Sequence, residues 1–279
     1  MPTERSAVPF DPAAVPIRDA STVLLIRDSD RGVEVFLQRR VVGMDFAGGM
    51  TVFPGGGVDP TDSDASVRWA GPPVSWWAER FGTTEGRAQA LVLAAVRETF
   101  EECGLLLAGP TVDTVVADTA PYAPARRRLE SREQSFGDFL TTEGLAVRTD
   151  LLRPRANWIT PLGERRRYDT NFFVAAVPEG QRADGDTSEA EHVQWRTVTE
   201  ALTDWTSGAS ILLPPTWALL TSLAGYATVA DALADEVAID PVLPIMSRND
   251  DGHIHISFGG DEGYYSAGGP HPWALRADL

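Results

Sequence analysis

Three carboxylates stand close together in residues 97–105, whose sequence is RETFEECGL. The residues before them are rich in Ala, Leu and Val and contain no Pro, so the pattern predicts a helix over about residues 84–106. At about 100° per residue, Glu98, Glu101 and Glu102 fall within an arc of roughly 100° on one side of this helix. Crowded carboxylate oxygens of this kind are typical ligands of a hard divalent cation.

The other side of the predicted helix is apolar, as a core-facing stripe should be. Thr83 or Thr84 can cap its first turn, and Gly104 can adopt the backbone turn that ends it. The only cysteine, Cys103, lies on the apolar side, which favours a packed thiol over a nucleophile. Besides Cys103, the stripe consists of Val92, Val96 and Phe100.

Like charges at helical spacing repel one another, and the Glu98 and Glu102 pair alone costs roughly a few tenths of a kcal/mol. Arg97 stands four residues before Glu101, close enough to pair with it and hold the cluster in shape. A positive group is therefore expected at the carboxylates, above all Mg²⁺ or Mn²⁺. From this segment alone, a merely acidic and solvated helix face remains the alternative.

Composition limits the classes of partner. The net charge of −16 argues against a surface that coats nucleic acid or binds an anionic membrane, whereas a small phosphorylated ligand remains compatible if a cation is bound. Four His and one Cys supply a zinc site poorly. Residues 1–20 do not read as a secretory segment and no apolar run is long enough to span a membrane, so we expect a cytoplasmic protein.

Strands and helices are mixed along the chain, which predicts an α/β (α+β) fold with a mixed central sheet flanked by helices. Glycines 55–57 follow a short strand and permit close backbone approach to a ligand or to the acidic helix. We predict strands over residues 21–27, 33–40, 50–53, 157–160, 170–177, 192–196 and 253–258, and further helices over 74–81, 123–134, 136–142, 197–202, 215–225 and 229–236.

The sequence FPGG at residues 53–56, followed by RETFEECGL, resembles the signature of the Nudix hydrolase family. The first half departs from that signature, because the usual glycine falls at Thr83 and the usual intermediate glutamate at Gln89. An insertion at 58–84 separates the two halves, which is similar to the coenzyme A and acyl-CoA diphosphatase branch. That branch has two arginines before FPGG, of which Arg40 matches the first while Asp45 occupies the second place.

The resemblance implies a Nudix-type α/β/α sandwich with an insertion and a C-terminal helical extension. We expect a lead-in over residues 1–20, a Nudix domain over 21–205, and C-terminal helices and a tail over 206–279 packed on the same domain. It also implies a homodimer as one option, since family members are often dimers.

The residues and the resemblance together give candidate roles. The metal ligands are Glu98, Glu101, Glu102 and the Gly56 carbonyl region, and Arg97 orients Glu101. The general base is open between Glu98 and a loop glutamate, Glu189 or Glu191, with a plain solvated loop as the alternative. Candidate substrate-binding residues are Arg39, Arg40, Gly55 and Gly56, and Tyr168 and Phe172 are candidates to stack on a base.

These candidates predict a Mg²⁺- or Mn²⁺-dependent hydrolase of a nucleotide-linked pyrophosphate, with no nucleic-acid and no membrane partner. Coenzyme A or its acyl esters come first among substrates, then NADH, ADP-ribose or related dinucleotides. The alternative is a non-catalytic Nudix module that binds a nucleotide or a protein, and Gln89 in place of the intermediate glutamate is the feature that favours it. For Arg39 and Arg40, an exposed strand-end pair is the alternative to phosphate binding. For Tyr168 and Phe172 it is ordinary burial.

Overall fold

The computed structural model describes residues 12–43, 47–63, 66–187, 190–248 and 253–271. The strands are β1 (Ile17–Ser29), β2 (Gly32–Arg40), β3 (Thr51–Val52), β4 (Gly55–Gly57), β5 (Trp69–Ala70), β6 (Ala108–Gly109), β7 (Ala146–Arg148), β8 (Leu152–Ile159), β9 (Arg167–Ala176), β10 (Ala190–Thr197), β11 (Pro241–Val242), β12 (Ile245–Arg248) and β13 (Ile254–Ser257). The helices are α1 (Val74–Phe81), α2 (Glu85–Cys103), α3 (Ala123–Glu130), α4 (Phe136–Thr142), α5 (Val198–Thr206), α6 (Pro214–Leu223), α7 (Val229–Ala234) and α8 (Asp261–Ser266).

Strand β1 lies inside a mixed sheet in which the strands follow the order β10-β2-β1-β9-β8-β11. It pairs antiparallel with β2 and parallel with β9. Its run Val23, Leu24, Leu25 and Ile26 is fully buried, as expected for a strand covered on both faces. Because side chains alternate along a strand, Val23 and Leu25 join one core cluster, and Leu24 and Ile26 join the other.

Helices cover both faces of this sheet. Buried residues of α1 to α4 belong to the cluster on one face, and those of α5 to α8 belong to the cluster on the other. The predicted mixed sheet flanked by helices is therefore confirmed, and the C-terminal helices form part of the second layer. Within the described ranges, no helix combines the length and apolarity needed to cross a bilayer.

Helix α2 has the predicted capping residues, although it ends at Cys103 rather than at residue 106. The Thr84 hydroxyl accepts a hydrogen bond from the Arg87 backbone N–H, and the helix stops at Gly104, whose φ of 70° is left-handed. The predicted apolar stripe is buried, but so is most of the opposite side, because strands β1 and β4 and residues 60–63 of the insertion pack on the helix. The Ser21 hydroxyl of β1 also donates to the Leu91 carbonyl at 2.7 Å, which fixes the helix against the sheet.

Several boundaries differ from the prediction. Strand β1 begins at Ile17 rather than residue 21, and α3 ends at Glu130 rather than residue 134. Strand β8 begins at Leu152, five residues before the predicted start at residue 157. The strand tolerates Pro154 because the proline lies at a bulge, and the buried Arg155 donates a hydrogen bond to the Tyr226 hydroxyl at 2.8 Å. The small sheet β5-β7-β6, the strands β11 and β12 and the helix α8 were not predicted, since elements this short carry no readable periodicity.

Candidate active site

The three glutamates of α2 do not have equal surroundings. Glu98 and Glu101 line a cleft, whereas Glu102 is 3% exposed and is not part of its lining. Glu102 Oε2 accepts hydrogen bonds from the Gly55 backbone N–H at 2.8 Å and from Gln38 Nε2 at 2.6 Å. Glu102 therefore connects helix α2 to strand β4 through a hydrogen bond that the Gly55 N–H donates.

Arg97 is the centre of the polar network. Its Nε and Nη2 donate to the carboxylate of Asp62 at 2.9 Å each, and Nη2 also donates to the Gly57 carbonyl at 2.9 Å. Its Nη1 donates to Glu98 Oε1 at 2.7 Å and to both oxygens of Glu101 at 3.4 Å. The predicted contact with Glu101 is present, but the shorter contacts are those with Asp62 and Glu98.

Burial and like charge shape the ionisation of this network. Burial by itself would lower the pKa of Arg97, but its carboxylate neighbours, Glu98 and Asp62 foremost, raise it. Burial raises the pKa of Asp62, and its hydrogen bonds with Arg97 offset only part of that shift. Burial also raises the pKa of Glu101, opposed by Arg97, and the nearby carboxylates of Asp62 and Glu130 raise it further. Asp62 and Glu101 therefore bind a proton more readily than exposed carboxylates do.

Two glycines of β4 lie close to their neighbours at the acids. A Cβ on Gly56 would lie 2.7 Å from both carboxylate oxygens of Glu98, so a side chain there would displace that carboxylate. At Gly55 a Cβ would lie 2.4 Å from the Ser21 carbonyl, and the φ of 155° disfavours other residues. The predicted close approach of glycine backbone to the acidic helix is thus present in the structure.

The donor set suits a hard divalent cation. Asp62, Glu98 and Glu101 all contact the guanidinium of Arg97, so three carboxylates meet at one place. Carboxylate oxygens are the ligands that Mg²⁺ and Mn²⁺ prefer. In their present rotamers, the described residues contain no group of three or more His, Cys, Asp or Glu side chains placed to hold a metal. A cation at this place would therefore require some of these carboxylate side chains to change rotamer.

The cleft beside this cluster has a volume of about 850 Å³. Its lining is acidic at α2 and becomes apolar toward the C-terminal extension. The charged walls include Arg18, Arg40, Asp59, Glu130, Arg132 and Arg166. The apolar walls include Phe53, Trp158, Phe172, Leu213, Ile254 and Ile256.

Some of the predicted substrate-binding residues line the cleft and one does not. Arg40 lines it, whereas Arg39, next to it on β2, is exposed and points to the other face of the sheet. Tyr168 and Phe172 both line it, and Phe172 is only 6% exposed. Phe172 is therefore buried in the core, as the alternative to base stacking predicted, but it also contributes to the wall of the cleft.

Of the two loop glutamates predicted as the general base, Glu191 is not brought to the acids. Glu191 is exposed on β10, where its Oε1 accepts a 3.4 Å hydrogen bond from the Val42 backbone N–H, and it does not line the cleft. Glu189 lies outside the described residues. Of the two candidate bases that the structure describes, Glu98 lines the cleft and Glu191 does not.

The structure also brings in side chains that the sequence did not single out. Asp62 and Gln38 contact Arg97 and Glu102 directly, and Glu130 of α3 lies near Glu101. Of these, Gln38 had one sequence signal, since a polar residue alternating with apolar ones on a buried strand often has a buried partner. Asp62 had none that distinguished it from the neighbouring aspartates.

Comparison with known proteins identifies the family. The family model described as the NUDT19 Nudix domain matches residues 78–223, just over half of the chain. The chain belongs to the Nudix family. Within it the match and the relatives below assign the chain to the NUDT19 branch. In Nudix terms, α2 carries the second half of the signature, Gln89 stands at its intermediate glutamate position, and the carboxylate that contacts Arg97 from outside the helix is Asp62.

Two curated relatives and one solved structure support this assignment. The acyl-coenzyme A diphosphatase NUDT19 of Xenopus laevis is 24% identical over 270 aligned positions, which cover 82% of this chain and 70% of that protein. The acyl-coenzyme A diphosphatase NUDT19 of Homo sapiens is 30% identical over 191 positions, covering 63% of this chain and 51% of that protein, about half its length. The crystal structure of a Nudix hydrolase from Alicyclobacillus acidocaldarius is 27% identical, with a TM-score of 0.67, and the superposition covers 81% of this chain and 99% of that one.

Proposed function

We propose that this protein is a Mg²⁺- or Mn²⁺-dependent Nudix hydrolase that cleaves the pyrophosphate of a nucleoside diphosphate-linked substrate. The observation that carries the proposal is the cluster of Glu98, Glu101 and Arg97 at the cleft, with the Gly56 backbone against it. A bound divalent cation supplies charge neutralisation and acidifies a water molecule. Glu98, Glu101 and Glu102 would hold the cation from the helix, and the Gly56 carbonyl region would complete the set of ligands. Of these glutamates, Glu98 and Glu101 border the cleft, and Glu102 contacts the Gly55 backbone. Glu98 is the favoured general base because, of the candidates within the described residues, it is the one that borders the cleft.

Coenzyme A and its acyl esters are the first candidate substrates, followed by NADH and ADP-ribose. Two observations support this order. The relatives from Xenopus laevis and Homo sapiens are named acyl-coenzyme A diphosphatases. The cleft also combines charged walls with apolar walls that include Leu213, Ile254 and Ile256 of the C-terminal extension. A substrate with a pyrophosphate and an apolar arm matches both kinds of wall.

The test is a product screen with purified protein. We expect release of a nucleoside monophosphate from coenzyme A or an acyl-CoA in the presence of Mg²⁺ or Mn²⁺, and none after chelation. NADH, ADP-ribose and dinucleoside polyphosphates complete the panel, and chromatography identifies the bond cleaved. A folded protein that is inert across the panel would instead support the non-catalytic binding module, which Gln89 in place of the intermediate glutamate favours.

Arg40 is proposed to bind a substrate phosphate. Arg40→Ala is expected to raise KM about 10- to 100-fold with a smaller change in kcat, because a charged hydrogen bond to a ligand contributes roughly 1.5–3 kcal/mol. Arg39→Ala is the matched control, since it removes the same charge from the neighbouring position on the other face, and its KM should stay within about twofold. Steady-state kinetics on the best substrate of the panel measures both. Equal effects of the two variants would show that net charge, rather than contact in the cleft, is responsible.

A further inference from the structure

We propose that Asp62, which belongs to the insertion, is a positioning residue that sets Glu98 and Glu101 for cation binding by fixing the guanidinium of Arg97. This inference rests on the proposed function, because it concerns the same carboxylates. It adds a residue from outside the acidic helix and assigns the insertion a part in building the site.

The first observation is the completeness of the contact between Asp62 and Arg97. The side chain of Asp62 is fully buried, and its two oxygens receive Nε and Nη2 of Arg97 at 2.9 Å each. The backbone N–H of Asp59 donates to the same carboxylate at 2.8 Å. A buried carboxylate with this many charged and backbone donors has a single well-defined orientation. Asp62 is therefore a fixed support for the arginine.

The second observation is how the donors of Arg97 are divided. Asp62 and the Gly57 carbonyl occupy Nε and Nη2, so Nη1 alone reaches the helix acids. Nη1 makes one short contact, 2.7 Å to Glu98, and longer ones of 3.4 Å to Glu101. Without Asp62, the guanidinium could turn its fork to Glu98 or Glu101 and form the bidentate pair that arginine prefers. The arginine would then compete with a cation for those oxygens.

Asp62 thus limits Arg97 to orienting the glutamates rather than neutralising them. It keeps one donor on Glu98, which holds that carboxylate beside Gly56, and it keeps Glu101 loosely held. Supporting residues of this type around metal ligands typically change metal affinity or activity about 10- to 100-fold when mutated. A change of that size in cation affinity is the expected signature.

The test measures Mn²⁺ binding directly, with the full-length protein, by electron paramagnetic resonance of free Mn²⁺. Asp62→Asn is expected to weaken Mn²⁺ binding about 10- to 100-fold. Asp62→Glu keeps the charge but moves the carboxylate by one methylene, and it should give an intermediate loss. If Asp62→Asn does not fold, as judged by circular dichroism, the affinity of Asp62→Glu decides alone. A folded variant with wild-type Mn²⁺ affinity would overturn the proposal, because a purely structural role lowers the unfolding temperature without changing affinity per folded molecule.

A double-mutant cycle tests whether Asp62 acts through Arg97. Arg97→Lys keeps the positive charge but removes the fork, so Asp62→Glu in that background should weaken Mn²⁺ binding much less than in wild type. Additive effects would overturn the proposal. If the wild-type protein binds Mn²⁺ but hydrolyses no substrate on the panel, the proposed function is refuted. The double-mutant cycle can still be measured in that case, because it depends only on Mn²⁺ binding. A wild type that binds no Mn²⁺ would refute both.

Discussion

Glu98→Gln is expected to lower kcat/KM by at least about 100-fold while the protein folds normally. The side chain lines the cleft, and Gln has nearly the same shape, so its amide oxygen can still accept the hydrogen bond from Arg97 Nη1. What disappears is a charged oxygen ligand and the favoured general base. The substitution also removes one negative charge from a crowded cluster, so the unfolding temperature of the metal-free variant should equal or exceed that of wild type.

The measurement combines steady-state kinetics with thermal unfolding at increasing Mn²⁺. A ligand that binds only the folded state raises stability as its concentration exceeds the dissociation constant, so wild type should show a rising unfolding temperature and Glu98→Gln little or none. Glu85→Gln is the matched control, because Glu85 is an exposed residue in the first turn of the same helix. It should leave kcat/KM within about twofold. Full activity in Glu98→Gln would remove Glu98 from both of its proposed roles.

Gly56→Ala is expected to reduce kcat/KM by about 100-fold, close to the cost of displacing a reacting group by about 1 Å. The added methyl carbon would lie 2.7 Å from both oxygens of Glu98, which is closer than such atoms approach, so the carboxylate must move. The backbone at Gly56, unlike that at Gly55, is not in the left-handed region, so strain in the main chain is not the cause.

The control for this variant is Gly86→Ala. Gly86 lies in the first turn of α2, and a Cβ there would meet no atom within 4 Å. It should leave kcat/KM unchanged and stabilise the fold by about 0.5–1 kcal/mol, because alanine is a better helix residue than glycine. Kinetics and denaturant unfolding of both variants give the comparison. If Gly56→Ala retained activity with Glu98 in a new rotamer, the position of that carboxylate would not limit the reaction.

The sequence was sufficient to predict the acidic helix, because it is long, periodic and marked at both ends. It also predicted α1 and α4 with the observed bounds. Spacing alone placed Glu98 and Glu102 on one helical face and could not show that strand β4 covers Glu102. That difference depends on a backbone N–H of Gly55, and a main-chain donor leaves no trace in the residue pattern.

The contact between Arg97 and Asp62 could not be predicted from the sequence for a similar reason. Asp62 precedes Arg97 by 35 positions, in a stretch that contains other aspartates, and only the fold brings it to the helix. For Arg39 and Arg40, strand alternation showed that they face opposite ways but not which of them faces the cleft. Deciding that requires knowing on which side of the sheet α2 packs.

Gly57 and Asp62 both accept hydrogen bonds from the guanidinium of Arg97, and this limits where insertions and deletions can occur in the chain. Both contact Arg97, and they are five residues apart. An insertion or deletion between them would move one of these two residues away from Arg97. Loops that contain no such contact tolerate changes in length at small entropic cost. Exchange of the insertion between homologues is therefore best confined to the stretch after Ser63, and the residues before it must be inherited together with the helix.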